Sequence, residues 1–126
     1  MEPRDFLLDS HILIWSLYEK ARLRPAHLEI LKSRNRTWVS AATVWEVEIK
    51  KRSGKLPIPD AIWDQAASVG HRFLSIELRH AILAVSLPLH HADPFDGMLV
   101  AQATLEKFTL LSVDAKLKRY GVDVLH

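Results

Sequence analysis

The segment HHADPFDGMLVAQA, residues 90–103, places Asp93 and Asp96 three residues apart at the start of an apolar run. One interpretation is structural: Asp93 is the N-cap of a helix, Pro94 is its first residue, and Asp96 is an acid that the helix dipole stabilises. The other interpretation is that these carboxylates belong to an active site. This segment alone does not decide between them, so the positions of the other acidic residues matter.

Four acidic residues fall where one edge of a parallel sheet would gather them. Asp9 ends the apolar segment DFLLD, and Asp114 directly follows FTLLSV. Asp96 lies in the first turn of the helix that leads to the FTLLSV strand, and Glu46 lies in the second turn of a helix that begins after Ser40. Sites in open α/β sheets form at the carboxyl ends of the strands. We therefore predict that these four carboxylates converge on one rim of the sheet.

Four converging carboxylates repel one another and raise each other's pKa unless a cation lies among them. Mg²⁺ or Mn²⁺ suits such a group, because these hard cations prefer oxygen ligands. A magnesium site of this kind typically activates water for attack on a phosphodiester. Each acid also has a structural alternative: Asp9 and Asp114 as helix caps, Glu46 as a partner of Lys50, and Asp96 as a residue that serves the helix dipole.

Short apolar strands that alternate with helices predict the elements that would position these acids. The predicted strands are 5–9, 37–40, 72–76, 108–113 and 122–125. Ser10 and Ser40 are predicted N-caps, Pro25 opens a helix, and Gly121 closes the last short one. This alternation predicts an α/β fold, a single domain over residues 1–126 with a mainly parallel central sheet and helices on both faces. Trp15 and Trp45 are predicted core residues, whereas Trp38 and Trp63 suit either base stacking or a protein interface.

Composition narrows the classes of function. The chain has 126 residues, a formal charge of +2 and no cysteine, which excludes disulfides and thiolate sites. No apolar run reaches the roughly 20 residues of a membrane span, and the first residues lack the pattern of a signal peptide, so we expect a cytoplasmic protein without membrane contact. Basic residues cluster after the Glu46 helix, where they suit either a solvated helix end or contact with a phosphate backbone. They are Lys50, Lys51, Arg52 and Lys55.

Four segments in this order and spacing resemble the PIN-domain ribonucleases, and more narrowly the VapC-type toxins of bacterial toxin–antitoxin pairs. They are LLDSHILIW, VSAATVWEVEIKKRSGKL, LPLHHADPFDGMLVAQA and LLSVDAKLKRYGVDVL, which together span nearly the full chain. The third segment is highly specific, and each of the others would be weak alone.

The resemblance implies that Asp9, Glu46, Asp96 and Asp114 form the catalytic site and bind Mg²⁺ or Mn²⁺. It implies cleavage of RNA by activated water, a cognate antitoxin as partner and a homodimer. The residues that would support the ligands are Ser10, Asp93 and Ser112. The chain departs from the family at Gly97, where many relatives carry arginine.

Two alternatives remain open on the sequence. A PIN-like module with weak or no catalysis would bind RNA or a partner, and the glycine at position 97 favours it. A receiver-type phosphoacceptor domain has a similar length, but it requires an acidic pair at the first strand, where this chain has only Asp9. His90 and His91 precede the acidic helix, and we interpret them as loop residues rather than as ligands or bases.

Overall fold

The structure is a computed structural model that describes residues 2–88 and 93–126. Its sheet contains β1 (Asp5–Leu8), β2 (Arg36–Ser40), β3 (Arg72–Leu74), β4 (Thr109–Leu111) and β5 (Val124–Leu125). The helices are α1 (Ser10–Tyr18), α2 (Pro25–Lys32), α3 (Ala41–Arg52), α4 (Ile62–Ser68), α5 (Leu78–Ser86) and α6 (Pro94–Glu106). Short 3₁₀ helices span Lys20–Arg22 and Ala115–Tyr120.

All strand pairs are parallel, and the strands lie in the order β3-β2-β1-β4-β5. The predicted α/β fold with a parallel sheet is thus confirmed, and every strand has its carboxyl end at the same edge. The central position of β1 differs from the receiver order, in which β1 lies between β2 and β3. This order argues against the receiver alternative.

Alternate residues of the central strands pack on opposite faces of the sheet. Phe6 and Leu8 of β1 join one buried cluster with Ile12 and Leu13 of α1. Leu7 faces the other way and joins Leu99, Val100 and Ala103 of α6, together with Leu110 of β4. Because strand side chains alternate between faces, these two clusters place helices on both sides of the sheet.

The helix starts explain how the chain reaches the carboxyl edge. Pro25 is the first residue of α2, and Ser40 Oγ accepts a hydrogen bond from the amide of Ala42, so both predicted starts are confirmed. The prediction for Ser10 is wrong: Asp9 is the N-cap of α1 and Ser10 its first helical residue. A carboxylate in the extended cap position reaches the amide three residues on, which leaves no cap for Ser10 to fill.

The burial of the tryptophans agrees only in part with the prediction. Trp15 is half-buried and packs against the core, as predicted, but the prediction for Trp45 is wrong because 63% of this residue is exposed. Trp38 and Trp63 each donate an indole hydrogen bond within the chain, to Asp5 and Glu48 respectively. Within residues 2–88 and 93–126, no helix has the length and apolar character needed to cross a membrane.

Candidate functional site: a carboxylate rim

Asp9 joins the ends of two neighbouring strands. Its Oδ1 accepts a hydrogen bond from the amide of Ile12 at 2.8 Å, and its Oδ2 accepts one from the amide of Val113 at 3.1 Å. The residue is only 5% exposed. For Asp9 a capping role does not exclude the predicted ligand role, because the bonds that cap α1 also hold the carboxylate at the carboxyl edge of the sheet. Each oxygen keeps a second lone pair that can accept another partner.

The two aspartates that precede α6 have separate roles. Asp93 is the N-cap, as predicted, and its Oδ1 accepts hydrogen bonds from the amides of Phe95 at 2.9 Å and Asp96 at 3.3 Å. Asp96 follows in the first turn and is half-buried. The neighbouring His90 and His91 lie outside the described residues.

The electrostatics of Asp96 reveal how the acidic residues are arranged. Burial, followed by the charges of four carboxylates, raises the pKa of Asp96 from its ordinary value to about 7. In order of effect, these carboxylates belong to Asp93, Asp9, Glu46 and Asp114. Three of the acids that the sequence assigns to one rim, Asp9, Glu46 and Asp114, therefore lie near enough to the fourth, Asp96, to raise its pKa, although the four are spread over more than a hundred positions of the chain.

Glu46 and Asp114 also have partners within the chain. The side chain of Glu46 is 12% exposed, and its Oε2 lies 3.0 Å from Lys50 Nζ, which is the ion pair considered in the sequence analysis. Asp114 Oδ1 accepts a hydrogen bond from the amide of Lys116 at 2.9 Å, so it caps the 3₁₀ helix. The amide of Asp114 in turn donates to the Oγ of buried Ser112 at 3.0 Å. Ser112 thus orients the backbone of Asp114 two residues on, whereas Ser10 lies next to Asp9 and lines a cleft with Glu46.

The basic residues after Glu46 do not form one surface. Lys51 is paired with Glu48 and with Asp60, at 3.0 Å each, and its side chain is only 12% exposed. The hydrogen bond to Asp60, then that to Glu48, raises the pKa of Lys51. Lys50 faces Glu46, and Arg52 and Lys55 are exposed. Of the four residues, Lys50 is the one that contacts a rim carboxylate.

A second cluster lies at the other end of α6, and the sequence analysis did not anticipate it. Glu77, His80 and Glu106 form the one group within the described residues that brings three such ligand atoms within 4.8 Å of one another. His80 Nδ1 accepts from the amide of Glu77 at 3.0 Å, so Nε2 carries the proton and donates to Glu106 Oε2 at 2.9 Å. Arg79 also contacts both glutamates. The sequence offered only the Glu77 cap of α5 as a signal, because the partner Glu106 comes from a distant helix.

The donor chemistry separates these two clusters as candidates for a metal. The rim offers carboxylate oxygens only, and their mutual repulsion is what a hard cation relieves. In the second cluster both nitrogens of His80 are already engaged, and Arg79 supplies the positive charge. No three rim carboxylates lie within 4.8 Å of one another in the part of the chain that is described. The residues of the rim fit Mg²⁺ or Mn²⁺ better than those of the second cluster.

Comparison with known proteins agrees with this fold. The profile of the PIN domain matches residues 6–123. Ribonuclease VapC22 of Mycobacterium tuberculosis is 28% identical over 117 residues, which cover 90% of each protein.

Two solved structures show the same fold at lower identity. The DNA-bound VapBC2 of Rickettsia felis aligns with a TM-score of 0.73 and 15% identity, over 96% of this chain and 97% of that chain. The DNA-bound VapBC of Salmonella typhimurium aligns with a TM-score of 0.70 and 16% identity, over 97% of each chain. Because the family profile matches residues 6–123, which is almost the whole chain, the chain belongs to the PIN domain family.

Proposed function

We propose that this protein is a metal-dependent endoribonuclease that acts as the toxin of a toxin–antitoxin pair. The observation that carries the proposal is the raised pKa of Asp96, which reflects its burial and, after that, the charges of four other carboxylates near this half-buried acid. Such a group is costly to maintain in a fold unless it binds a cation. The likeness to a ribonuclease over 90% of the chain supports RNA as the substrate.

In this proposal Asp9, Glu46, Asp96 and Asp114 hold the ion. Bound Mg²⁺ or Mn²⁺ supplies an activated water and neutralises the charge that develops on a phosphodiester during hydrolysis. The chain contributes the geometry: two backbone amides fix the Asp9 carboxylate, and the Asp93 cap fixes the first turn of the helix that carries Asp96. Ser112 holds the backbone of Asp114 in the same way. We expect these bonds to keep the ligands in place with little reorganisation.

Cleavage of RNA in the presence and absence of metal tests the proposal. We expect the purified protein to cleave single-stranded RNA with Mg²⁺ or Mn²⁺ and to lose this activity in EDTA. The Asp96→Asn variant, purified in the same way, controls for contaminating nucleases. Cleavage that continues after thorough chelation, or that survives in this variant, would overturn the proposed mechanism.

Gly97 bears on the alternative of a weak or inactive module. Its backbone does not require glycine, since its φ is not positive, and an added Cβ would meet nothing within 4 Å. The position is therefore open to arginine, the residue that many relatives carry there. Restoring it by Gly97→Arg should raise cleavage if the missing charge limits catalysis, and an unchanged rate would show that glycine suffices.

An exposed apolar stripe supports the proposed homodimer. Leu78, Ile82 and Val85 lie on one face of α5 and are 79%, 62% and 88% exposed. Trp45 of α3 lines the same cleft as Val85 and is also exposed. Continuous apolar surface of this kind marks protein interfaces. We expect Val85→Lys to shift the protein from dimer to monomer in light scattering, and a dimer that survives would place the interface elsewhere.

The antitoxin partner is supported by the kinds of protein that share this fold. Similar folds occur in a toxin–antitoxin complex from Klebsiella pneumoniae and in the VapBC complexes. Co-purification of this chain with the product of a neighbouring gene would test the pairing, and inhibition of RNA cleavage by that product would establish it. A neighbouring product that neither binds nor inhibits the chain would count against it.

A further inference from the structure

A cleft beside the rim has no role in the proposed chemistry. It has a volume of about 410 Å³ and lies between α1, α3 and the segment 56–59. Ser10 and Glu46 line it at the rim, and Arg22 lines it beyond the far end of α1. Helix α1 has nine residues, so the cleft extends about 12 Å from the rim along its length.

Aromatic and cationic groups meet along this cleft. The ring of Trp15 is half-buried, with its edge near His11 at a centroid distance of 5.6 Å. The Arg22 guanidinium lies over the same ring, with Cζ 4.4 Å from the centroid. Guanidinium and imidazole groups stack on nucleobases as aromatic rings do. The chain thus gathers three planar groups at one place on its surface.

Cations lie at both ends of the cleft. Lys50 enters from α3 and reaches Glu46 at the rim, and 44% of its side chain remains exposed. Arg22, with 60% of its side chain exposed, pairs at 3.0 Å with Glu19, whose side chain is 50% exposed. An ion pair this exposed contributes little to stability, so a phosphate can compete for the arginine at small cost. A strand with a phosphate near each cation would place the intervening base against Trp15.

We propose that this cleft binds one nucleotide of single-stranded RNA next to the scissile phosphate, with its base stacked among Trp15, His11 and Arg22. Lys50 and Arg22 contact the flanking phosphates, whereas Lys51 takes no part because Glu48 and Asp60 occupy it. The inference rests on the proposed ribonuclease function and names a subsite of that same site. A peptide segment of an antitoxin is the competing occupant, but a peptide has no need of a cation at each end.

Fluorescence anisotropy of labelled eight-nucleotide oligoadenylate in Ca²⁺, with the full chain, tests the subsite. We expect Lys50→Gln and Arg22→Gln each to weaken affinity about fivefold and to reduce the dependence of log K on log salt by about 0.7, the value for one lost phosphate contact on a single strand. Lys32→Gln and Arg34→Gln carry the same charge changes at exposed positions away from the rim, near the amino end of β2. These controls should show neither effect.

The base contact is tested from both sides. Trp15→Leu should weaken affinity about tenfold, within the range for loss of one stacked base. Trp15 also packs against the core, so the substitution alone does not isolate the base contact. The wild-type protein is therefore tested with a series of oligomers that each carry one abasic position. Removal of the base at one position should weaken affinity as much as Trp15→Leu does. Three results would overturn the subsite. The cleft variants could bind as the wild type does, they could lose no more affinity than the controls, or no abasic position could prove sensitive. A wild-type protein that binds the oligomer but never cleaves RNA with Mg²⁺ or Mn²⁺ would overturn the proposed function instead.

Discussion

Helix α6 carries an acidic cluster near each end, and the two clusters differ in the charged groups that surround their acids. At its carboxyl-terminal end, Glu106 accepts a hydrogen bond from the imidazole of His80 and pairs with the guanidinium of Arg79, so a cation of the chain itself lies beside this acid. Near its start, burial and then the charges of nearby carboxylates raise the pKa of Asp96 to about 7. If only the distances between ligand atoms were considered, the Glu77–His80–Glu106 cluster would be chosen as the metal site. We nevertheless propose the rim as the cation site, because a cation would relieve the repulsion between its acids, whereas Arg79 already lies between the glutamates of the other cluster.

The largest expected effect separates the two aspartates at the start of α6. Asp96→Asn should lower RNA cleavage by more than about 100-fold, beyond the range for residues that only support a ligand. Asp93→Asn should retain much of the activity, because asparagine caps a helix nearly as well as aspartate. Both variants should remain folded by circular dichroism. Equal activity in the two variants, or a greater loss in Asp93→Asn, would reverse the assigned roles.

Stability should distinguish two acids within the rim itself. Repulsion alone predicts that neutralising any rim acid leaves the metal-free protein at least as stable. Asp9 is different, because its two oxygens accept from two different backbone amides. An asparagine there can satisfy only one of them, so Asp9→Asn should cost about 1–3 kcal/mol of unfolding free energy. Asp96→Asn should instead raise the melting temperature in EDTA. Urea unfolding of both variants checks this, and a stabilised Asp9→Asn would show that repulsion dominates.

A smaller effect is expected in the pH dependence of the metal-free protein. The pKa of Asp96 is raised in the fold, so the folded state favours its protonated form. Its destabilising contribution should grow as pH rises above the ordinary carboxyl pKa and be complete above about 7. Burial lowers the pKa of His71, which acts in the opposite direction. We therefore compare wild type with Asp96→Asn: the variant's advantage in melting temperature should be larger at pH 8 than at pH 5.5. An advantage that does not change with pH would contradict the raised pKa.

The fold could be predicted from the sequence because it follows from short-range patterns, and the four rim acids could be proposed because they fall at strand ends and near helix starts. Buried strands, caps such as Ser40 and prolines at helix starts are local signals, and parallel strands bring their carboxyl ends to one edge. Contacts between segments that are distant along the chain could not be predicted from the sequence. The bond from the amide of Val113 to Asp9 spans 104 positions, and that from His80 to Glu106 spans 26. The exposure of Trp45 could not be predicted, because the sequence pattern of an apolar residue on a helix is the same whether the residue faces the core or a partner protein.

The central claim is that the rim, and not the Glu77–His80–Glu106 cluster, binds the cation. Titration calorimetry with Mn²⁺ on the wild-type protein, Asp96→Asn and Glu106→Gln tests it directly. Glu106→Gln is the matched control, since it also neutralises one acid of α6 in a carboxylate cluster. We predict that Mn²⁺ binding is retained in Glu106→Gln and reduced at least about tenfold in Asp96→Asn. Loss of binding in Glu106→Gln together with unchanged binding in Asp96→Asn would contradict the account.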